Sequence, residues 1–200
     1  LGLAHEYFQP ELVTEEQIDE GALAHYDALY VLDKWVKKST QENILKWTRE
    51  GGLLWACTDA ATRNEYNDEL DLLKELDVQR RFAEVTPDTK RTRQRMSPVE
   101  GQVSFRPHQT NTVHTPETID SPHGVIRARY DDGRTAWLES PAGKGKLVYL
   151  GHRCGHAYTS RAFRIGGTAV IWANTAREPL TTPLHEAAIE RELVLSEPCI

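Results

Sequence analysis

The chain has 200 residues, of which 39% are hydrophobic and 27% charged, with a net charge of −6. That is enough for a substantial core, and the acidic balance excludes nucleic acid as the main partner. No apolar run approaches the roughly 18 residues of a membrane span, and no signal peptide is visible.

The opening LGLAHEYF reads as the tail of a helix, and the chain stops at Ile200 just after an apparent strand start. Both ends look cut, as in a piece of a longer polypeptide. The compartment therefore stays open between cytoplasmic and exported with a parent chain. Pro10–Val13 is a short candidate strand. Thr14 then caps a helical turn, with Gln17 completing a capping box and Gly21 ending it. Ala28–Leu32 is a continuous apolar run between Asp27 and Asp33, the pattern of a strand buried on both faces. Ser39–Glu50 predicts an amphipathic helix with a Ser39/Glu42 capping box and with Ile44, Leu45 and Trp47 inward. Gly51 is its stop. Leu53–Cys57 is a second buried strand, expected parallel to the first, and Leu70–Val78 predicts a further helix.

From Arg80 the pattern changes. Basic residues outnumber Glu84, Asp88 and Glu100 up to Arg106, and prolines recur, so Arg80–Ser121 reads as irregular strands and long loops outside the sheet. Val125–Tyr130 and Arg134–Glu139 alternate around Asp131-Asp132-Gly133 and predict an antiparallel hairpin. Pro141–Gly145 is a turn, after which Lys146–Leu150 returns to the main sheet. Ala169–Trp172 is a strand or a helix, and Pro183 at the first helical position starts a helix over Leu184–Leu193.

Strand, helix, strand, polar loop is the unit of an open α/β sheet, whose ligands collect at the carboxyl ends of strands. That points to the segment after Cys57. A thiol there can act as a nucleophile with a histidine as base. The glycines of a strained elbow are missing, however, since Ala56 and Thr58 flank the cysteine. Asp59 also opposes thiolate formation, so a buried inert cysteine is the favoured reading. GHRCGHAY (Gly151–Tyr158) places His152, Cys154 and His156 at alternate positions. Those are acceptable zinc ligand types, and His152 or His156 could serve Cys57 as base. The two glycines favour a plain turn at a strand end over either role. RNEYN offers Asn64, Glu65, Tyr66 and Asn67 to a sugar or a partner loop, with Asp59 and Tyr158 nearby in the same scheme. The bland alternative is that Asn64 and Asn67 cap the next helix. TKRTRQR (Thr89–Arg95) reads as a solvated loop. GKGK (Gly143–Lys146) lacks the rest of a phosphate loop, and His108, His114 and His123 show no ligand spacing. The cysteines Cys57, Cys154 and Cys199 form no disulfide framework, and no cofactor is expected.

Three stretches together carry a resemblance: VTEEQIDEGALAHYDALYVLD, ENILKWTREGGLLWACTDAATRNEYN and GKGKLVYLGHRCGHAY. They resemble the β-galactosidase trimerisation domain, the class I glutamine amidotransferase-like α/β domain of bacterial β-galactosidases and related glycosidase-like multidomain proteins. The departures are Asn64 where an acidic residue is expected, and His152 and His156 where apolar ones are. The resemblance implies an open, mostly parallel, flavodoxin-like sheet with helices on both faces and an antiparallel hairpin excursion. It also implies a first sheet strand before Leu1. One domain over 1–200 is expected, carrying a β-rich insertion over 80–140. The implied role is a non-catalytic assembly domain, homo-oligomeric, touching other domains of its parent, with carbohydrate as a candidate ligand. The catalytic carboxylates of such proteins lie in a separate barrel domain.

Overall fold

The computed structural model describes residues 2–82, 93–111, 115–153, 158 and 174–190. The chain forms two compact units, Val13–Arg153 and a smaller one made of Leu1–Leu12 with Cys154–Ile200.

The larger unit runs α1 (Glu15–Asp19), β1 (Ala28–Val31), α2 (Lys38–Glu50), β2 (Leu53–Cys57), β3 (Gln79–Arg81), β4 (Arg93–Pro98), β5 (His108–Asn111), β6 (Thr118–Asp120), β7 (Val125–Tyr130), β8 (Thr135–Ala142) and β9 (Gly145–Leu150). Seven strands make one mixed sheet in the order β1-β2-β9-β8-β7-β4-β5, while β3 and β6 pair as a separate ribbon. Among the described residues, parallel pairing of strands is confined to β1–β2 and β2–β9, and every pair from β9 to β5 is antiparallel. The sheet is thus mixed rather than mostly parallel: β1 and β2 run parallel as predicted, β9 runs parallel to β2, and the rest extends them with antiparallel strands.

All five residues of β2 are buried. Leu54 and Ala56 join the cluster that holds Ile44 of α2, Leu147 and Tyr149 of β9 and Leu138 of β8. Because side chains alternate along a strand, Trp55 points to the opposite face, where it stacks on Tyr30 at 5.1 Å. The helix described against this sheet, α2, lies along β2 and β9. It ends as expected at Gly51, in a positive-φ conformation (φ 140°) that a side chain would strain. The GKGK stretch has a structural job. Gly143-Lys144 is the β8–β9 turn, and the Lys144 amide donates to the Arg49 carbonyl at 2.9 Å, docking the hairpin on the end of α2. A side chain on Gly145 would strike the Thr48 and Gly52 carbonyls.

Several local expectations are corrected. The Thr14/Gln17 capping box is present, but the Ser39/Glu42 box is not. Helix α2 begins a residue earlier with no cap from its own N-terminal side chain. Its start is held instead by carboxylates distant in sequence. Glu15 accepts from the Lys37 amide at 2.6 Å and Glu65 from the Lys38 amide at 3.0 Å. Asp19 takes hydrogen bonds from Ser39, Thr40 and Asn43. Desolvation pushes the Asp19 carboxyl up, but these bonds outweigh it and hold it below its ordinary value. Negative charge at this end also suits the helix dipole.

Leu70–Val78 is not a helix. Asp71 accepts from the Leu73 amide, a 3-10 turn covers Lys74–Leu76, and Asp77 closes it with φ 58°. Leu72, Leu73, Leu76 and Val78 are buried all the same, so their spacing reports core contact rather than helical period. Pro10–Val13 forms no strand. Among the described residues of 80–121, β4 and β5 join the main sheet, while β3 and β6 pair apart from it. The hairpin at Asp131–Gly133 is present, with its second strand running on to Ala142.

In the smaller unit, a 3-10 turn covers Ala4–Glu6 and α3 spans Glu178–Glu186. Pro183 therefore lies inside a helix that starts earlier than predicted. Arg177 pairs with Glu6 at 2.6 Å, and the Phe8 and His185 rings meet at 5.3 Å. Helix α3 stops at Glu186, short of the predicted Leu193, with residues 187–190 non-helical. Ala169–Trp172 and residues 191–193 lie outside the described residues.

Candidate functional site

The carboxyl end of β2 has an unusual backbone. Immediately after Cys57, Thr58 adopts φ 29° and Ala61 φ 50°. A β-branched residue in this region is sterically unfavourable and persists only where its surroundings impose it. They do so here. The Thr58 amide donates to the Leu150 carbonyl at 2.7 Å, and the Ala61 amide to the Asp33 carbonyl at 2.7 Å. The Thr58 carbonyl accepts from the Tyr149 hydroxyl at 2.8 Å and from Arg80 at 2.9 Å.

Arg80 is the centre of this arrangement. Its side chain is fully buried, reaches the Ala60 carbonyl at 3.1 Å, and makes a forked ion pair with Asp71. The guanidinium also lies 5.6 Å from the centre of the Tyr149 ring. Desolvation pushes the Tyr149 phenol well above its ordinary value, so it stays a hydrogen-bond donor. An elbow follows β2, but an arginine clamp rather than glycines holds it, and its carbonyls are spent on that clamp. Arg80 carries no local sequence signal of this role, because its partners lie 9 to 22 positions away.

Cys57 is 2% exposed. Burial pushes its thiol up to about 12, with Asp59 adding to the shift and the charges of Arg153 and Arg80 opposing it. These are the surroundings of an inert thiol. Asp59 is engaged by Arg153 at 3.3 Å. His152 is also buried, and its Nδ1 meets the Tyr130 hydroxyl at 2.9 Å. Burial first, and the charge of His108 second, bring His152 down to about 3, so it is a neutral imidazole near pH 7. Its Nε2 and that of His108 are buried without partners among the described residues. Cys154 and His156 lie outside the described residues. Among the described residues no three His, Cys, Asp or Glu groups converge as a metal site.

The RNEYN loop is largely committed to structure. Asn64 Oδ1 accepts from the Tyr66 and Asp68 amides, and its Nδ2 donates to Asp68. Glu65 caps α2, and Asn67 Oδ1 accepts from the Trp35 indole at 3.0 Å. Tyr66 is left exposed. Tyr158, buried, belongs to the smaller unit and not to this loop. In TKRTRQR, Arg93–Arg95 open β4, and Thr89–Thr92 lie outside the described residues. No described helix is long and apolar enough to cross a membrane.

No protein-family profile and no curated sequence matches the chain. Solved structures do. A catalytic mutant of Gan42B, a GH42 β-galactosidase from G. stearothermophilus, superposes with a TM-score of 0.69 at 14% identity over 96% of this chain and 25% of its own. The β-galactosidase from Rahnella sp. R3 gives 0.68 at 15% identity, over 98% of this chain and 27% of its own. A cytoplasmic protein from Salmonella typhimurium gives 0.60 at 11% identity, over 90% of this chain and 82% of its own. The chain thus spans about a quarter of the β-galactosidases it resembles. At these identities the likeness defines a class of fold. It is a mixed α/β domain found inside much longer β-galactosidases and, in the Salmonella protein, in a chain of comparable size.

Proposed function

We propose that this chain is a non-catalytic accessory domain, serving assembly, of a β-galactosidase-like carbohydrate-active protein. The observation that carries the reading is the superposition that takes in 96% of this chain but 25% of a β-galactosidase. The closed elbow after β2 supports the non-catalytic part, because the clamp of Arg80 and Tyr149 and the high thiol pKa leave no activated nucleophile there. The parallel β1–β2–β9 core supports the finer kinship with amidotransferase-like, flavodoxin-like sheets. On this reading the chain is one domain of its parent, with 80–140 as a β-rich insertion, and it contacts sister subunits and neighbouring domains. The rival is a hydrolase using Cys57 with His152 or His156 as base, which the surroundings of Cys57 and the Tyr130 bond of His152 disfavour.

Sedimentation velocity of the parent polypeptide, with and without this domain, tests the assembly role. The full parent is expected to sediment as a discrete oligomer and the deletion variant as a monomer. A parent that stays monomeric at every concentration removes the proposal.

A further inference from the structure

Tyr66, 78% exposed, and Trp35, 53% exposed, are the most exposed aromatic side chains among the described residues, and both lie on one loop pair after β1 and β2. Trp35 bridges to Arg63 in β fashion, and the Val36 amide donates to the Arg63 carbonyl at 3.0 Å. The indole N–H is held by Asn67 Oδ1 at 3.0 Å. Asn67 is itself fixed with φ 67°, its amide on the Asn64 carbonyl and its own carbonyl taking Arg63 at 3.1 Å. The indole is therefore oriented in advance and its N–H is already satisfied, so what it leaves to solvent is apolar ring carbon. Tyr66 is the residue next to that Asn67, and the Lys34 ammonium stands 5.4 Å from the indole centre.

This combination suits a sugar. A pyranose presents an apolar C–H face that stacks on an aromatic ring, and hydroxyls at its rim that seek donors and acceptors. Orienting the ring beforehand removes part of the ordering cost of binding. A protein contact fits less well. A stable interface buries about 800 Å² per partner around a charge-depleted centre, whereas the two rings are flanked in sequence by the charged Asp33, Lys34, Glu65 and Asp68.

We propose that Trp35 and Tyr66 form a binding platform for a neutral oligosaccharide, with the Lys34 ammonium and the Asn67 side-chain Nδ2 bonding its hydroxyls. The proposal goes beyond the assembly role and does not depend on it. A monomeric parent would remove that role and leave sugar binding intact. The test is a titration of the intact chain with β-1,4-galactobiose and with cellobiose, following the indole N–H resonances by NMR. The Trp35 resonance, assigned with Trp35→Phe, is expected to shift saturably with a dissociation constant of about 1 mM. Trp35→Ala, with an unchanged melting temperature, should weaken binding at least tenfold, as should Tyr66→Ala. If Trp35→Ala unfolds the chain, Tyr66→Ala alone decides. Three results overturn the platform: no saturable shift with either sugar up to about 50 mM, affinity unchanged in the alanine variants, or a self-association abolished by Trp35→Ala with no response to sugar.

Discussion

Replacing Arg80 with methionine removes the buried guanidinium while roughly keeping its volume. Asp71, whose side chain is 16% exposed, then loses its cation. The Ala60 and Thr58 carbonyls lose their Arg80 hydrogen bonds, while the one from Tyr149 to the Thr58 carbonyl stays. Removing one partner of a buried ion pair costs about 3–5 kcal/mol, mostly because the other charge stays buried and uncompensated. In a chain of this size that lowers the melting temperature on the order of 10 °C. Urea unfolding monitored by tryptophan fluorescence measures the loss. Pairing Arg80→Met with Asp71→Asn should recover a substantial part of it, since the orphaned carboxylate is gone. Amide exchange at Thr58–Ala61 should quicken in Arg80→Met even under native conditions, because the positive-φ backbone there is held from outside. An Arg80→Met protein within about 0.5 kcal/mol of the parent, a change typical of featureless surface sites, with exchange at the elbow unaltered, would refute the clamp.

Acid should destabilise the fold through His152. Its folded-state value is about 3 against an ordinary 6.5, so its contribution is complete above pH 6.5 and is lost as pH falls toward 3. By pH ~4.5 the loss is about 3 kcal/mol. Urea midpoints of the parent should fall across this range, and those of His152→Asn should fall less; parallel curves contradict the assignment. Glu65→Ala should cost about 1 kcal/mol by uncapping α2, whereas no loss in thermal melts would mean the Lys38 amide finds water equally well. Gly145→Ala should destabilise by at least about 2 kcal/mol, as overpacking against backbone does. An unchanged melting temperature would show that the β8–β9 turn is not docked on α2.

What was legible in the sequence was local. Leu53–Cys57 is apolar throughout because β2 is covered on both faces, and Gly51 and the Asp131–Gly133 turn mark ends that backbone geometry alone demands. Leu70–Val78 misled because a helix and a compact turn can bury the same leucines. The cap of α2 and the clamp on the elbow were out of reach, since Glu65 and Arg80 act on residues 20 or more positions away. The arginines near β4 pointed to a loop, yet β4 buries Met96 and takes its place in the sheet. Of the candidate site, the location after β2 was legible and its strained backbone was not, because nothing in ACTDAA announces a left-handed threonine.

The central claim is that the end of β2 is a closed structural elbow rather than a catalytic one. Alkylation of Cys57 by iodoacetamide at about pH 8, followed by mass spectrometry with Cys154 and Cys199 replaced by serine, tests it directly. With the thiol pushed up to about 12, its thiolate fraction is about a thousandfold below that of a free cysteine, and burial slows the reaction further. Labelling is expected to be at least that much slower than for a free thiol until the chain unfolds. Labelling as fast as a free thiol, or faster, in the native protein would contradict the closed elbow.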